Sequence, residues 1–302
     1  LAVSLAILLS AKEPLHGFVL ATVTKDELND FLILAAATLI ILPLVPNAFV
    51  GPFEAINPRN LWLIVIFVMT ISALGHLALR WLGGRVGLPL VGLFSGFISS
   101  IATISAMGAR VKESPHLLSA TVAGAVLSSL ATILQIAMLL LAIHPPSLIA
   151  LKWPLIFGGL SIAIYGLVAT FNCYQDPHVD AHKPTKTFSV KTALLFAAII
   201  AIILIAAAAL NAWFGQAGLV VAAGVAGLAD VHAAVISVTS FIASGKINIQ
   251  SAVVPILVAF TVNTAVKAVI AQLTGGTRYA RLVVPALVIQ VAAVWLGWWL
   301  IR

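Results

Sequence analysis

Between Leu117 and Ile143 the chain carries no charged side chain, and the stretch 86–108 carries none either. Runs of this kind constrain the fold more than any motif does. A helix needs roughly 20 apolar residues to cross about 30 Å of hydrocarbon, and in lipid only helices and closed barrels satisfy every backbone polar group. The expectation is an all-α, polytopic transmembrane protein lying in a lipid bilayer.

Composition agrees. Charged residues make up 8% of the chain and hydrophobic ones 62%, where a soluble protein carries about 25% charged residues. The net charge of +7 comes from 16 Lys and Arg, scattered singly near the ends of apolar runs. Such residues anchor helices at the interface, so no nucleic-acid partner is expected. One cysteine, Cys173, rules out an intramolecular disulfide. The opening LAVSLAILLS is too short to span and has no basic stretch before it, so it reads as the tail of a longer helix.

Runs bounded by charge, Pro or Gly place spans near 31–46, 61–82, 86–108, 117–143, 148–170, 190–213, 217–242, 250–273 and 280–301. That gives nine to ten helices with the incomplete first one. If every span crosses once, one face collects Arg59, Arg110, Lys112, Lys183, Lys186, Lys191, Lys246 and Arg302. The other collects Lys12, Lys25, Arg80, Arg85, Lys152, Arg278 and Arg281. So even a division gives no orientation.

The chain also matches itself at a shift of 131 residues. Gly84 falls on Gly215, Gly87 on Gly218, Leu88 on Leu219, Gly96 on Gly227 and Pro154 on Pro285. Residues 57–171 and 190–302 then read as two four-helix repeats, joined by a hydrophilic loop at 172–189 and preceded by a separate part, 1–56. Four crossings per unit is even, so the repeats are expected to be parallel.

Polar side chains inside hydrocarbon are costly and mark function by default. Asp230, His232, Asn263, Thr264 and Lys267 stand in the second repeat. Asp230 lies roughly 20 Å and Asn263 roughly 16 Å from the ends of their runs, with Lys267 shallower at roughly 10 Å; Asp230 and Asn263 are the expected central pair. His232 shares a face with Asp230 only if the turn between them unwinds. In the first repeat Ser99 falls on Asp230; Thr132 and Gln135 fall on Thr264 and Lys267 after a one-residue adjustment, with Ser100, Thr103, Ser128 and Ser129 nearby. Gly96 and Gly227, just ahead of these groups, suit a close helix approach or a helix break. Helix-packing glue is the plain alternative for all of them.

Asp176, His178, Asp180 and His182 alternate in the hydrophilic loop, a pattern compatible with a metal but usual in solvated loops. His76 reads as interfacial. No Walker loop, G-x-S-x-G or H-E-x-x-H is present, so no enzyme is expected and no cofactor.

The strings NPRNLWLIVIFVMTISALGHLALRWLG, GLFSGFISSIATISAMGAR, GLVVAAGVAGLADVHAAVISV and VNTAVKAVIA resemble a bacterial membrane domain of unknown function that follows an MgtC/SapB module in fused proteins. The opening LAVSLAILLSAKEPLHGF resembles the end of that module. The resemblance implies a multi-pass bacterial inner-membrane protein with a loose link to magnesium homeostasis. In that pattern a second acidic residue follows two after the Asp; here His232 stands there, so Asp230 carries over and a two-carboxylate cation site does not.

The expected function is an ion transporter or channel, with a divalent cation such as Mg²⁺ as the leading substrate. Asp230 would supply charge, and Asn263, Thr264, Ser99 and Ser100 would supply oxygens. Lys267 would be the counter-charge, and if it dominates, the substrate is an anion. The other class is a non-transporting regulatory or assembly protein of the MgtC type. A homo-oligomer fits either.

Overall fold

The computed structural model describes residues 25–52, 56–59, 61–63, 65–66, 69–70, 87–171 and 190–300. The metal pattern at Asp176–His182, the interfacial His76 and the opening LAVSLAILLS lie outside them.

The described chain is helical. Helix α1 (Lys25–Ala36) continues through a π turn, Ala37–Ile41, and ends at Leu42–Leu44. The π turn shifts a backbone carbonyl out of register, and Trp62 Nε1 donates to it at Ala37 O over 2.8 Å. Then follow α2 (Leu88–Glu113), α3 (Leu118–Ile143), α4 (Pro145–Phe171), α5 (Val190–Ala229), α6 (Val231–Ala243) and α7 (Ile249–Trp299). Five helical stretches in this region are long and apolar enough to cross a membrane.

Three of these helices turn within their own length. In α7 the turn is at Gly276, whose φ of 72° is closed to residues with a Cβ at little cost. Trp295 Nε1 donates to Thr261 Oγ1 over 2.9 Å, although a straight helix would hold them about 51 Å apart. Residues 249–275 and 277–299 are therefore two antiparallel spans. Gly215, with φ of 57°, makes the same kind of corner in α5.

The turn in α2 changes the topology. Ser99 leaves the helical region (φ −165°, ψ 111°), and the chain doubles back there. Thr103 Oγ1 donates to Ser95 Oγ over 3.0 Å, where continuous helix would separate the two residues by about 12 Å. A Cβ on Gly124 of α3 would stand 2.7 Å from Leu88 O and 3.1 Å from Met107 Cε. One point on α3 thus touches both ends of α2. Asp230, extended at φ −162° and ψ 127°, does the same between α5 and α6. The two ends of that segment meet in a cleft of about 340 Å³ lined by Gly215, Gln216, Lys246, Ile247 and Asn248.

The runs 86–108 and 217–242, expected as single crossings, are therefore helical hairpins. Each limb, 88–98, 100–113, 216–229 or 231–243, is roughly 16–21 Å long, about half to two-thirds of a hydrocarbon core. Two of the expected crossings thus double back, and neither nine to ten crossing helices nor two parallel four-helix repeats is confirmed among the described residues.

The hairpins open toward opposite faces. At the first face, Lys112 Nζ donates to Leu273 O over 3.2 Å and Tyr165 OH to Leu282 O over 2.8 Å. This brings the base of the first hairpin together with the end of α4 and the Gly276 corner. At the second face, Ile143, Leu148, Ile247 and Ile249 pack on one apolar cluster, and Gly297 lies against the Trp153 carbonyl. There the base of the second hairpin is found.

Two apolar cores follow from this. One holds Leu88, Ile104, Met107, Val111, Val122, Val126, Ala271, Tyr279 and Val283. The other holds Ile133, Ile136, Leu140, Val231, Val235, Val238, Ile256 and Phe260. On α3 the gap between them falls at 127–132, and on α7 at 261–270. The polar side chains occupy that gap.

Candidate functional site: a polar layer at two hairpin tips

Both tips are held by the same local chemistry. Each is an N-cap, a position that favours Ser and Asp because the side chain satisfies a free backbone N–H. Ser99 Oγ accepts from Ala102 N over 3.2 Å, and Asp230 Oδ1 accepts from His232 N over 3.1 Å. The outgoing limbs end in free carbonyls, which amide side chains of the neighbouring span satisfy. Gln135 Nε2 donates to Phe97 O over 2.9 Å, and Asn263 Nδ2 to Gly227 O over 3.2 Å. Non-helical backbone at this depth is tolerated where protein or a polar cavity covers it.

Glycine makes the close fit at each tip. A Cβ on Gly96 would lie 2.7 Å from Ser128 Cα, and one on Gly227 would run into the Ala259 carbonyl. Both readings of these glycines hold: the helices approach closely there, and the break comes three residues on.

The unwound turn at Asp230 also brings His232 round, with its Nδ1 2.9 Å from Asp230 Oδ1. The pair is part-buried, at 28% exposure for the Asp230 side chain and 17% for His232. Asn263 contacts the tip through Gly227 O rather than through the Asp230 carboxylate. Thr264 is turned to its own helix and donates to Phe260 O over 2.8 Å. Thr103 closes the first hairpin through Ser95 Oγ and Ser99 O.

Lys267 is fully enclosed, 1% exposed. Its ammonium donates to Thr132 Oγ1 over 2.9 Å. The Thr132 hydroxyl passes its own proton to Ser100 Oγ over 3.0 Å. A bonded chain thus runs from the second half of the molecule through α3 to the first hairpin tip. No carboxylate among the described residues is within ion-pair range of Lys267.

Gln290, which sequence reasoning passed over, joins the layer by donating to Ser129 O over 3.4 Å. Its signal was a lone amide in the middle of an apolar run. Gln135 Oε1, Gln290 Oε1, Ser129 Oγ and His232 Nε2 are buried atoms without a partner. Among the described residues no three of His, Cys, Asp and Glu gather as metal ligands would.

These features define a class: an all-helical protein, apolar enough for the bilayer, in which two helical hairpins meet in an internal polar layer. The chain belongs to the family described as a domain of unknown function (DUF4010), whose family model matches residues 66–275 and so covers both hairpins. No curated protein and no solved structure matches the chain.

Proposed function

We propose that the protein is a multi-pass transporter of the bacterial inner membrane that moves a small charged solute through the polar layer between its hairpin tips. The observation that carries this reading is the meeting of two tips, based on opposite faces, through the chain Lys267–Thr132–Ser100. Hairpins that stop mid-membrane and present helix ends to one site are a recurrent transporter device. They put backbone polar groups where a solute shedding water needs them, at a depth where polar groups otherwise cost several kcal/mol.

The reading includes an inverted duplication. Each unit is read as three crossings plus one hairpin; in the first unit the crossings are 118–143 and 145–171 together with the apolar run 61–82, counted from its sequence. An odd number of crossings puts the second copy in the membrane upside down. The shift of 131 residues carries Ser99 onto Asp230, Gly96 onto Gly227 and Ser128 onto Ala259. It therefore relates both helix breaks and both close approaches.

Orientation follows from the same topology. The first face then holds Arg80, Arg85, Arg110, Lys112, Lys183, Lys186, Lys191, Arg278 and Arg281 by position along the chain. The second holds Arg59, Lys152, Lys246 and Arg302. Nine against four makes the first face cytoplasmic, where single crossings left a near tie.

A magnesium substrate would take the Asp230 carboxylate as its charged ligand. Its Oδ1 is engaged by His232 twice over, which weakens that choice. The other reading, a regulatory or assembly protein of the MgtC type linked to an MgtC/SapB module, is favoured by the tight enclosure of Lys267.

Uptake into vesicles reconstituted with the purified chain tests transport. Asp230→Asn keeps an acceptor at the N-cap but removes the charge beside His232, and is expected to lower uptake at least tenfold. Folded Asp230→Asn that transports like wild type removes Asp230 from the mechanism.

A further inference from the structure

The unmet hydrogen bonds of Lys267 point to the kind of solute. Lys267 is 1% exposed, and its ammonium carries three donors while one hydrogen bond, to Thr132, is made. A charged side chain at this depth is costly unless its donors are met. Among the described residues the two further donors of Lys267 have no partner.

The negative group nearest in kind does not answer them. The Asp230 carboxylate acts on Lys267 through space but makes no hydrogen bond to it, being held by its own helix start and by His232. Thr132 cannot offer more, because its proton is committed to Ser100.

The backbone adds no net charge: each tip joins a helix C-terminus to a helix N-terminus, the first covered by Gln135 or Asn263 and the second by Ser99 or Asp230. The spare donors of the layer are therefore those of Lys267, set among the unpartnered acceptors Gln135 Oε1 and Gln290 Oε1.

We infer that the solute is a small oxyanion, a carboxylate or a phosphate-like group, held by Lys267 between the hairpin tips, with Thr132 and Ser100 beside it. This rests on the transport reading above and adds the sign and chemistry of what is moved. In the absence of the oxyanion Thr132 holds the ammonium in place. When it binds, its oxygens take the two unused donors.

The test is uptake of inorganic phosphate, sulfate and succinate, against Mg²⁺, Na⁺ and K⁺, in vesicles carrying wild type, Lys267→Gln and Lys267→Arg. The expected result is uptake of at least one anion, lowered at least tenfold in Lys267→Gln and recovered severalfold in Lys267→Arg. Cation uptake without anion uptake overturns the oxyanion inference and leaves the transport reading standing. Anion uptake unchanged in folded Lys267→Gln also overturns it. No uptake of any of the six by folded wild type removes the transport reading itself. The wild-type measurement decides the sign alone, so an unstable Lys267→Gln does not shield the inference.

Discussion

The tips depend on single atoms of clearance. Gly227 has no room for a methyl group because the Ala259 carbonyl stands there, whereas a Cβ on Gly224, one turn earlier, would meet only side-chain methyls, Val258 Cγ1 at 3.3 Å and Val262 Cγ2 at 3.9 Å. Overpacking at a fixed backbone contact costs about 1–3 kcal/mol. Gly227→Ala is therefore expected to lower the thermal midpoint in detergent clearly, with Gly224→Ala close to wild type. Equal midpoints for the two variants would mean that the hairpin does not rest on α7 as described. Asp230 and Lys267 were legible as unusual from their setting in apolar runs. Their partners were not: Asp230 engages His232 and Lys267 engages Thr132, because an extended residue at 230 redirects every side chain after it.

Among the elements, the hairpins are the least predictable feature and the most consequential. An apolar run of spanning length reads the same whether it crosses or doubles back, since hydropathy counts residues and carries no direction. A single extended residue reverses the chain, and Ser99 and Asp230 are residue types that suit an N-cap. The reversal has a direct chemical check. With Cys173→Ser as background, Ser95→Cys and Thr103→Cys place two thiols where two oxygens now lie 3.0 Å apart, within reach of a disulfide. Rapid oxidation to an intramolecular disulfide is expected. A free pair after oxidation would mean that α2 is a straight crossing.

For the whole molecule, the count of crossings decides sidedness. Single cysteines at Glu113 and at Arg278 are expected to react with a membrane-impermeant thiol reagent from the cytoplasmic side, and a cysteine at Lys246 from the opposite side. Labelling of 113 and 278 from opposite faces would restore the parallel scheme and dissolve the inverted duplication. The same geometry explains why the two apolar cores never merge. Each hairpin packs into one of the two cores, and the tips leave a polar seam between them.

Membrane residence, the helical class and the positions of Asp230, Asn263 and Lys267 in apolar surroundings were determined by the sequence alone, because burial in lipid demands long uncharged runs and makes each exception visible. Family membership follows from the sequence too. Which runs cross and which double back was decided only in three dimensions. That choice depends on contacts between residues far apart in the chain, Gly124 with Leu88 and Met107 or Lys267 with Thr132, and no local pattern encodes a contact whose two halves lie on different helices.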